Sequence, residues 1–141
     1  RSVVMQASIL NRSPWSKKLV FKSAVSSKER AMFALKNALD QAYTQWVRKP
    51  MTAIAYGGTG GARALEHLRG IAVELQMVPI RHAVHIGGGD FMTVPPMGAD
   101  KPISEIADHI APSATAALDD LVWWANATMA ARDADAAQEA A

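Results

Sequence analysis

The chain has no cysteine among its 141 residues, which excludes disulfides, thiolate metal sites, iron–sulfur clusters and a cysteine nucleophile. No apolar run approaches the roughly 18 residues that a membrane span needs, and the first residues lack the order of a secretory signal. A soluble, cytoplasmic protein without a membrane partner is the expectation. Aromatic residues are few, at 6%, and they do not alternate regularly with the basic residues along the chain as a nucleic-acid surface requires. Neither a nucleophilic triad nor a pair of carboxylates at working distance can be picked out. His82 and His85 are three apart in a predicted strand, so they point to opposite faces and make a poor pair of metal ligands.

Half of the residues are apolar and 20% are charged, the balance of one domain able to bury its own core. Seven methionines and four tryptophans supply much of the filling. The net charge of +2 hides an asymmetry. Residues 1–50 carry ten Lys/Arg against Glu29 and Asp40, and residues 51–141 carry five Lys/Arg against eleven Asp/Glu. The two parts attract each other, so the basic part reads as balanced within the molecule and nucleic acid is not an expected partner.

Val3 to Leu10 reads as a strand, ended by Asn11-Arg12-Ser13-Pro14. Ser26-Ser27-Lys28-Glu29 has the form of a capping box and predicts a helix start. From there Met32, Leu35, Leu39, Ala42, Tyr43 and Trp46 recur on one core-facing stripe until Arg48-Lys49-Pro50. Met51 to Tyr56 is a strand-length apolar run, as expected of a strand covered on both faces. Residues 62–75 place Leu65, Leu68, Ala72 and Leu75 at helical spacing, and Val78 to Ile86 returns to a β-rich pattern. The whole is a βαβ unit whose two strands should be parallel. Pro79 puts the second strand at the sheet edge. Gly87 to Lys101 reads as loop and Ile103 to Ile110 as a short helical piece. Pro112 opens a last helix that turns Ala114, Ala117, Leu118, Leu121, Trp124 and Ala125 inward, with Trp123 at a rim. Residues 132–141 form an Ala-rich acidic tail expected to fray, beyond a single domain at 1–131.

One constellation carries chemistry. Gly57-Gly58-Thr59-Gly60-Gly61 follows a strand and precedes a helix, the edge of an open α/β sheet where ligands bind. The glycines let backbone amides approach a planar or anionic ligand, and Thr59 adds a hydroxyl. A dinucleotide fingerprint starting at Gly58 would need glycine where Arg63 stands, and a P-loop would need a Gly-Lys-Ser/Thr that is absent. The bare pattern serves a tight turn as readily as a ligand. Arg63 and Arg69 on the following helix are read as solvated, with a nucleotide phosphate as the alternative partner.

The wider pattern adds to this. Ala34-Leu35-Lys36-Asn37-Ala38-Leu39-Asp40, then Trp46 and Lys49-Pro50, then Tyr56-Gly57-Gly58-Thr59-Gly60-Gly61-Ala62-Arg63-Ala64 with Glu66-His67-Leu68-Arg69, resembles the NADPH-dependent FMN reductase family in order and spacing. Leu121-Val122-Trp123-Trp124-Ala125 is similar to that family's final helix. The resemblance implies an α/β, flavodoxin-like parallel sheet with flanking helices. It further implies FMN at the strand ends, NADPH as donor, and a small-molecule acceptor such as free flavin or a quinone. A homodimer or higher homo-oligomer also follows from it. The cofactor-binding residues it implies are Tyr56, Gly57, Gly58, Thr59, Gly60 and Gly61, with no catalytic side chain and no metal, because the flavin carries the electron chemistry. Arg12, Ser13 and Ser16 after the first strand are candidate phosphate contacts, since hydroxyls and guanidinium groups are the usual donors to phosphate.

The chain also departs from that family. Where the family has a Pro-Glu-Tyr-Asn flavin loop, Val25 to Met32 stands instead. Three candidate strands are visible, at 3–10, 51–56 and 78–86, where a flavodoxin-like sheet has five. A second function class follows: a flavodoxin-like structural or interaction protein that has lost FMN binding.

Overall fold

β2 (Pro50–Tyr56) is the strand about which the sheet is built. Its short run of Met, Thr, Ile and Ala lies between a proline that cannot continue the preceding helix and a glycine that ends the extended backbone. The computed structural model describes residues 5–8, 35–94 and 98–141. In chain order these form β1 (Met5–Ser8), a helix α1 described over 35–40, and a 3₁₀ turn (Tyr43–Gln45), followed by β2, α2 (Ala62–Glu74), β3 (Val78–Pro79) and β4 (Val84–Ile86). Then come α3 (Gly88–Thr93), a second 3₁₀ turn (Ile103–Ile106) and α4 (Ala107–Glu139).

The expected βαβ unit is present. β3 pairs with β2 in parallel at Pro50↔Val78 and Met51↔Pro79, and β4 does so from Ile54↔Val84 to Tyr56↔Ile86. These are two halves of the strand expected at 78–86. Between them the register slips by two residues, because Ile80 to Ala83 lie opposite only Thr52 and Ala53. Pro79 lacks an N–H for the ladder, which fits a strand that breaks there and, among the described residues, borders the sheet. The Thr52 hydroxyl donates to the His82 carbonyl at 2.8 Å, and the Arg69 guanidinium donates to the Ile80 and Arg81 carbonyls. Arg69 is thereby committed to the strand break, and His82, expected inside a strand, lies in that break.

β1 falls within the strand expected at 3–10, but it pairs with β2 antiparallel, from Met5↔Ala55 to Ser8↔Thr52. The sheet is therefore three parallel strands with flanking helices, as expected, joined by one strand of opposite sense. The capping box at 26–29 lies outside the described residues.

One face of β2 is sealed. Met51, Ala53 and Ala55 pack with Leu65, Leu68, Ala72 and Leu75 of α2 and its C-cap, and with Leu35, Leu39 and Trp46. These α2 residues are the ones its spacing predicts. The other face lies under α4, anchored by Ala117 and Leu121, but Ile54 stays 38% exposed, so β2 is only partly covered there.

Five expectations are corrected. Tyr43 is 51% exposed, because the helix ends at residue 40 and the 3₁₀ turn rotates it out of the stripe, while Trp46 is buried and donates through Nε1 to the Leu39 carbonyl at 2.7 Å. The loop expected at 87–101 contains α3. Pro112 does not open the last helix but sits inside α4, giving up one backbone bond. The acidic Ala-rich segment expected to fray is helical to Glu139. Trp124 and Leu118, expected inward, are 39% and 54% exposed.

Candidate functional site

At the carboxyl end of β2 the chain turns through Gly57 to Gly61 into α2, whose N-cap is Gly61. The turn closes on itself through Gly60 N–H donating to the Gly57 carbonyl at 2.9 Å, and Leu65 N–H donates to the Gly61 carbonyl at 3.1 Å. Gly60 and Gly61 have φ of +64° and +65°, a region that penalises any Cβ. A Cβ on Gly61 would also stand 3.0 Å from the Ala55 Cβ and the Tyr56 nitrogen. Glycine at these two places is explained by the turn and its packing alone.

Gly58 is different. It carries no positive φ, it is exposed, and a Cβ built on it would meet nothing within 4 Å. Thr59 beside it is exposed too. The fold itself would accept a side chain at Gly58, so its absence keeps clear the outer surface of the turn, where a flat ligand could lie against backbone. Residues 57–61 thus divide between an inner set that shapes the turn and an outer pair that faces solvent.

A second glycine turn, which the sequence reading passes over as loop, supports the first. β4 ends in Ile86, whose carbonyl accepts from Gly57 N–H at 3.1 Å, and Gly88 N–H donates to the Gly58 carbonyl at 3.3 Å. Gly87, the N-cap of α3, is so close that a Cβ would lie 2.8 Å from the Gly60 nitrogen. His85 Nδ1 lies 2.8 Å from the Gly60 carbonyl oxygen. Since a carbonyl only accepts, Nδ1 carries the proton in this bond. The signal for this second turn was three consecutive glycines directly after the second parallel strand, mirroring the first.

Tyr56 leads into the turn. Its ring lies 6.3 Å from that of Phe91 on α3, at 35°, and burial pushes its phenol above the usual tyrosine range. The hydroxyl is therefore neutral over the whole physiological range and able to donate. His109 on α4 holds α3 through Asp90, with Nδ1 to Oδ1 at 2.9 Å.

Arg12, Ser13 and Ser16 lie outside the described residues. β1 ends at Ser8 opposite Thr52, four positions back along β2 from Tyr56. Among the described residues no three His, Asp or Glu cluster as metal ligands, and no helix is long and apolar enough to cross a membrane.

Residues 34–90 match the NADPH-dependent FMN reductase family. The NAD(P)H-dependent FMN reductase of Saccharomyces cerevisiae is 41% identical over 44 residues, 31% of this chain and 23% of that protein. The NAD(P)H-dependent FMN reductase of Schizosaccharomyces pombe is 44% identical over 43 residues, 30% of this chain and 22% of that protein. The match spans less than a quarter of either relative. No solved structure matches this chain. Over residues 34–90, which hold the first glycine turn, α2 and the parallel strands on either side of it, the chain resembles the NADPH-dependent FMN reductases.

Proposed function

We propose that the chain is an NAD(P)H-dependent FMN oxidoreductase, or the part of one that holds the flavin ring. Bound FMN would accept hydride from NADPH and pass electrons to a small acceptor such as free flavin or a quinone. The residues present fit that group. The observation that carries the reading is Gly58, exposed and with open space where a Cβ would stand, at a position where the fold makes no demand for glycine. Gly58 and Thr59 offer the outer surface, with Gly57, Gly60 and Gly61 behind them holding its shape. Tyr56 contributes a neutral hydroxyl at the rim. The similarity of residues 34–90 to the reductase family supports the same assignment. Phosphate contacts at Arg12, Ser13 and Ser16 remain part of the proposal.

The proposed enzyme works as a homodimer, for which the exposed Leu118, Val122 and Trp123 of α4 supply apolar area. Its proposed compartment is the cytoplasm.

The test is a titration with FMN, followed by quenching of flavin fluorescence and by NADPH oxidation that depends on added FMN. Gly58→Leu should fold as the native chain does and weaken FMN binding at least tenfold, since a side chain then stands where the ring would lie. Equal FMN affinity in Gly58→Leu would overturn the assignment of the turn.

One observation favours a second reading. The antiparallel β1 delivers its carboxyl end beside Thr52 and not beside Tyr56, whereas a phosphate loop serving the glycine turn would start from the Tyr56 end. A flavodoxin-like interaction protein without FMN would show no flavin band and no FMN-dependent NADPH oxidation.

A further inference from the structure

The opposite end of β2 presents a different surface. There Thr44, Gln45, Val47, Arg48, Lys49 and Arg132 line an open depression of about 420 Å³. Lys49 immediately precedes Pro50, the first residue of β2, and the glycine turn follows Tyr56, its last. Seven residues of extended chain put about 20 Å between the two places. The depression is therefore separate from the glycine turn, and nothing in the proposed redox chemistry uses it.

Three cations gather in it. Arg132 reaches from α4 to donate through Nη1 to the Arg48 carbonyl at 2.6 Å, which uses one of the five N–H donors of a guanidinium. Arg48 forms an ion pair with Asp135 one helical turn along α4. Lys49 is half-buried and has no anionic partner among the described residues. Among the described residues, counting Asp135 against Arg48, Lys49 and Arg132 leaves a surplus of two positive charges.

The turn that brings them together is held in a costly shape. Arg48 has φ +58°, a region that non-glycine residues seldom occupy and that persists only where the surroundings hold it. Its N–H donates to the Gln76 carbonyl at 2.7 Å and its carbonyl accepts from Arg132, so both sides of the strained peptide are tied down. Burial first, and the nearby Arg132 second, hold the Lys49 ammonium below the usual lysine range. A bound anion would relieve the repulsion behind that second effect.

We propose that this depression binds a phosphate group, either free or carried by a small molecule. A guanidinium and an ammonium are the charged donors that match phosphate oxygens. Thr44 and Gln45 of the same lining carry a hydroxyl and an amide, which are neutral donors.

The test uses the full chain at low ionic strength, where surface charge is least screened. Inorganic pyrophosphate is titrated while backbone amides are followed by NMR. Saturable shifts confined to residues 44–49 and the neighbourhood of 132 are expected. Lys49→Gln and Arg132→Gln should each weaken binding about tenfold, the worth of one charged hydrogen bond, while their spectra remain those of a folded chain. A nucleoside diphosphate titrated in parallel identifies the source. Equal affinity assigns the site to phosphate itself, and at least tenfold tighter binding assigns it to a phosphate-bearing nucleotide. Shifts that grow linearly without saturating, or the same affinity in both variants as in the native chain, overturn the proposal. FMN binding is read on the same samples and should not change in either variant, so the outcome here is independent of the flavin assignment.

Discussion

Gly58 and Gly61 stand three positions apart in one turn and answer to different constraints. Gly61 is required by its φ of +65° and by the Ala55 and Tyr56 atoms 3.0 Å from where a Cβ would be. Gly61→Ala should therefore destabilise the chain by about 1–3 kcal/mol, the usual cost of a strained backbone position, measured as a lower urea midpoint with unchanged slope. Gly58→Ala should stay within about 0.5 kcal/mol of the native chain, because the added methyl would meet nothing within 4 Å. Sequence shows four glycines as equivalent letters. What separates them is the distance to atoms that arrive from β4 and β2, and that distance exists only after folding. Tyr43 and Trp46 show the same limit: their spacing places both on one stripe, but the helix stops before either, and only Trp46 is turned inward.

At the scale of elements, α3 is a short helix held at both ends of its environment. Phe91 packs near Tyr56, and Asp90 accepts from His109 on α4. The hydrogen bond and charge of Asp90, with a smaller contribution from Asp108, raise the His109 imidazole above its ordinary 6.5. A raised histidine binds its proton more tightly folded than unfolded, so the contact stabilises fully below about pH 6.5 and is lost as pH rises through the folded value. An NMR titration should give His109 a midpoint above 6.5, Asp90→Asn should lower it, and exchange of the α3 amides should show added opening as the proton leaves. The sequence made α2 legible because its apolar positions keep one period from end to end, and β2 because a strand-length apolar run stops at a glycine. It did not do so for α4, whose buried residues are Ala117 and Leu121 and whose Pro112, a residue type common at helix starts, sits inside the helix. About 50 Å of helix is sustained there by alanine, the best helix former, rather than by an apolar stripe.

At the scale of the molecule, α4 leaves Leu118, Val122 and Trp123 between 48% and 63% exposed. In the proposed homodimer these residues are covered. Sedimentation should give twice the chain mass at micromolar concentration, and Leu118→Glu with Val122→Glu should return it to the monomer while the far-ultraviolet circular dichroism is retained. A monomeric native chain would remove the homodimer from the proposal. The βαβ unit, the helix that seals one face of β2 and the glycine turn at its end follow from local patterns in the residues, because each rests on a short-range pattern or a local backbone requirement. The sense of β1 emerges only when the sheet assembles. Side chains alternate from face to face identically in either direction along a strand, so Met5–Ser8 specifies extended backbone but not the way it runs. The meeting of Gly87 with Gly60 and of Arg132 with Arg48 emerges then too, since residues that far apart in the chain become neighbours only when the helices close over the sheet.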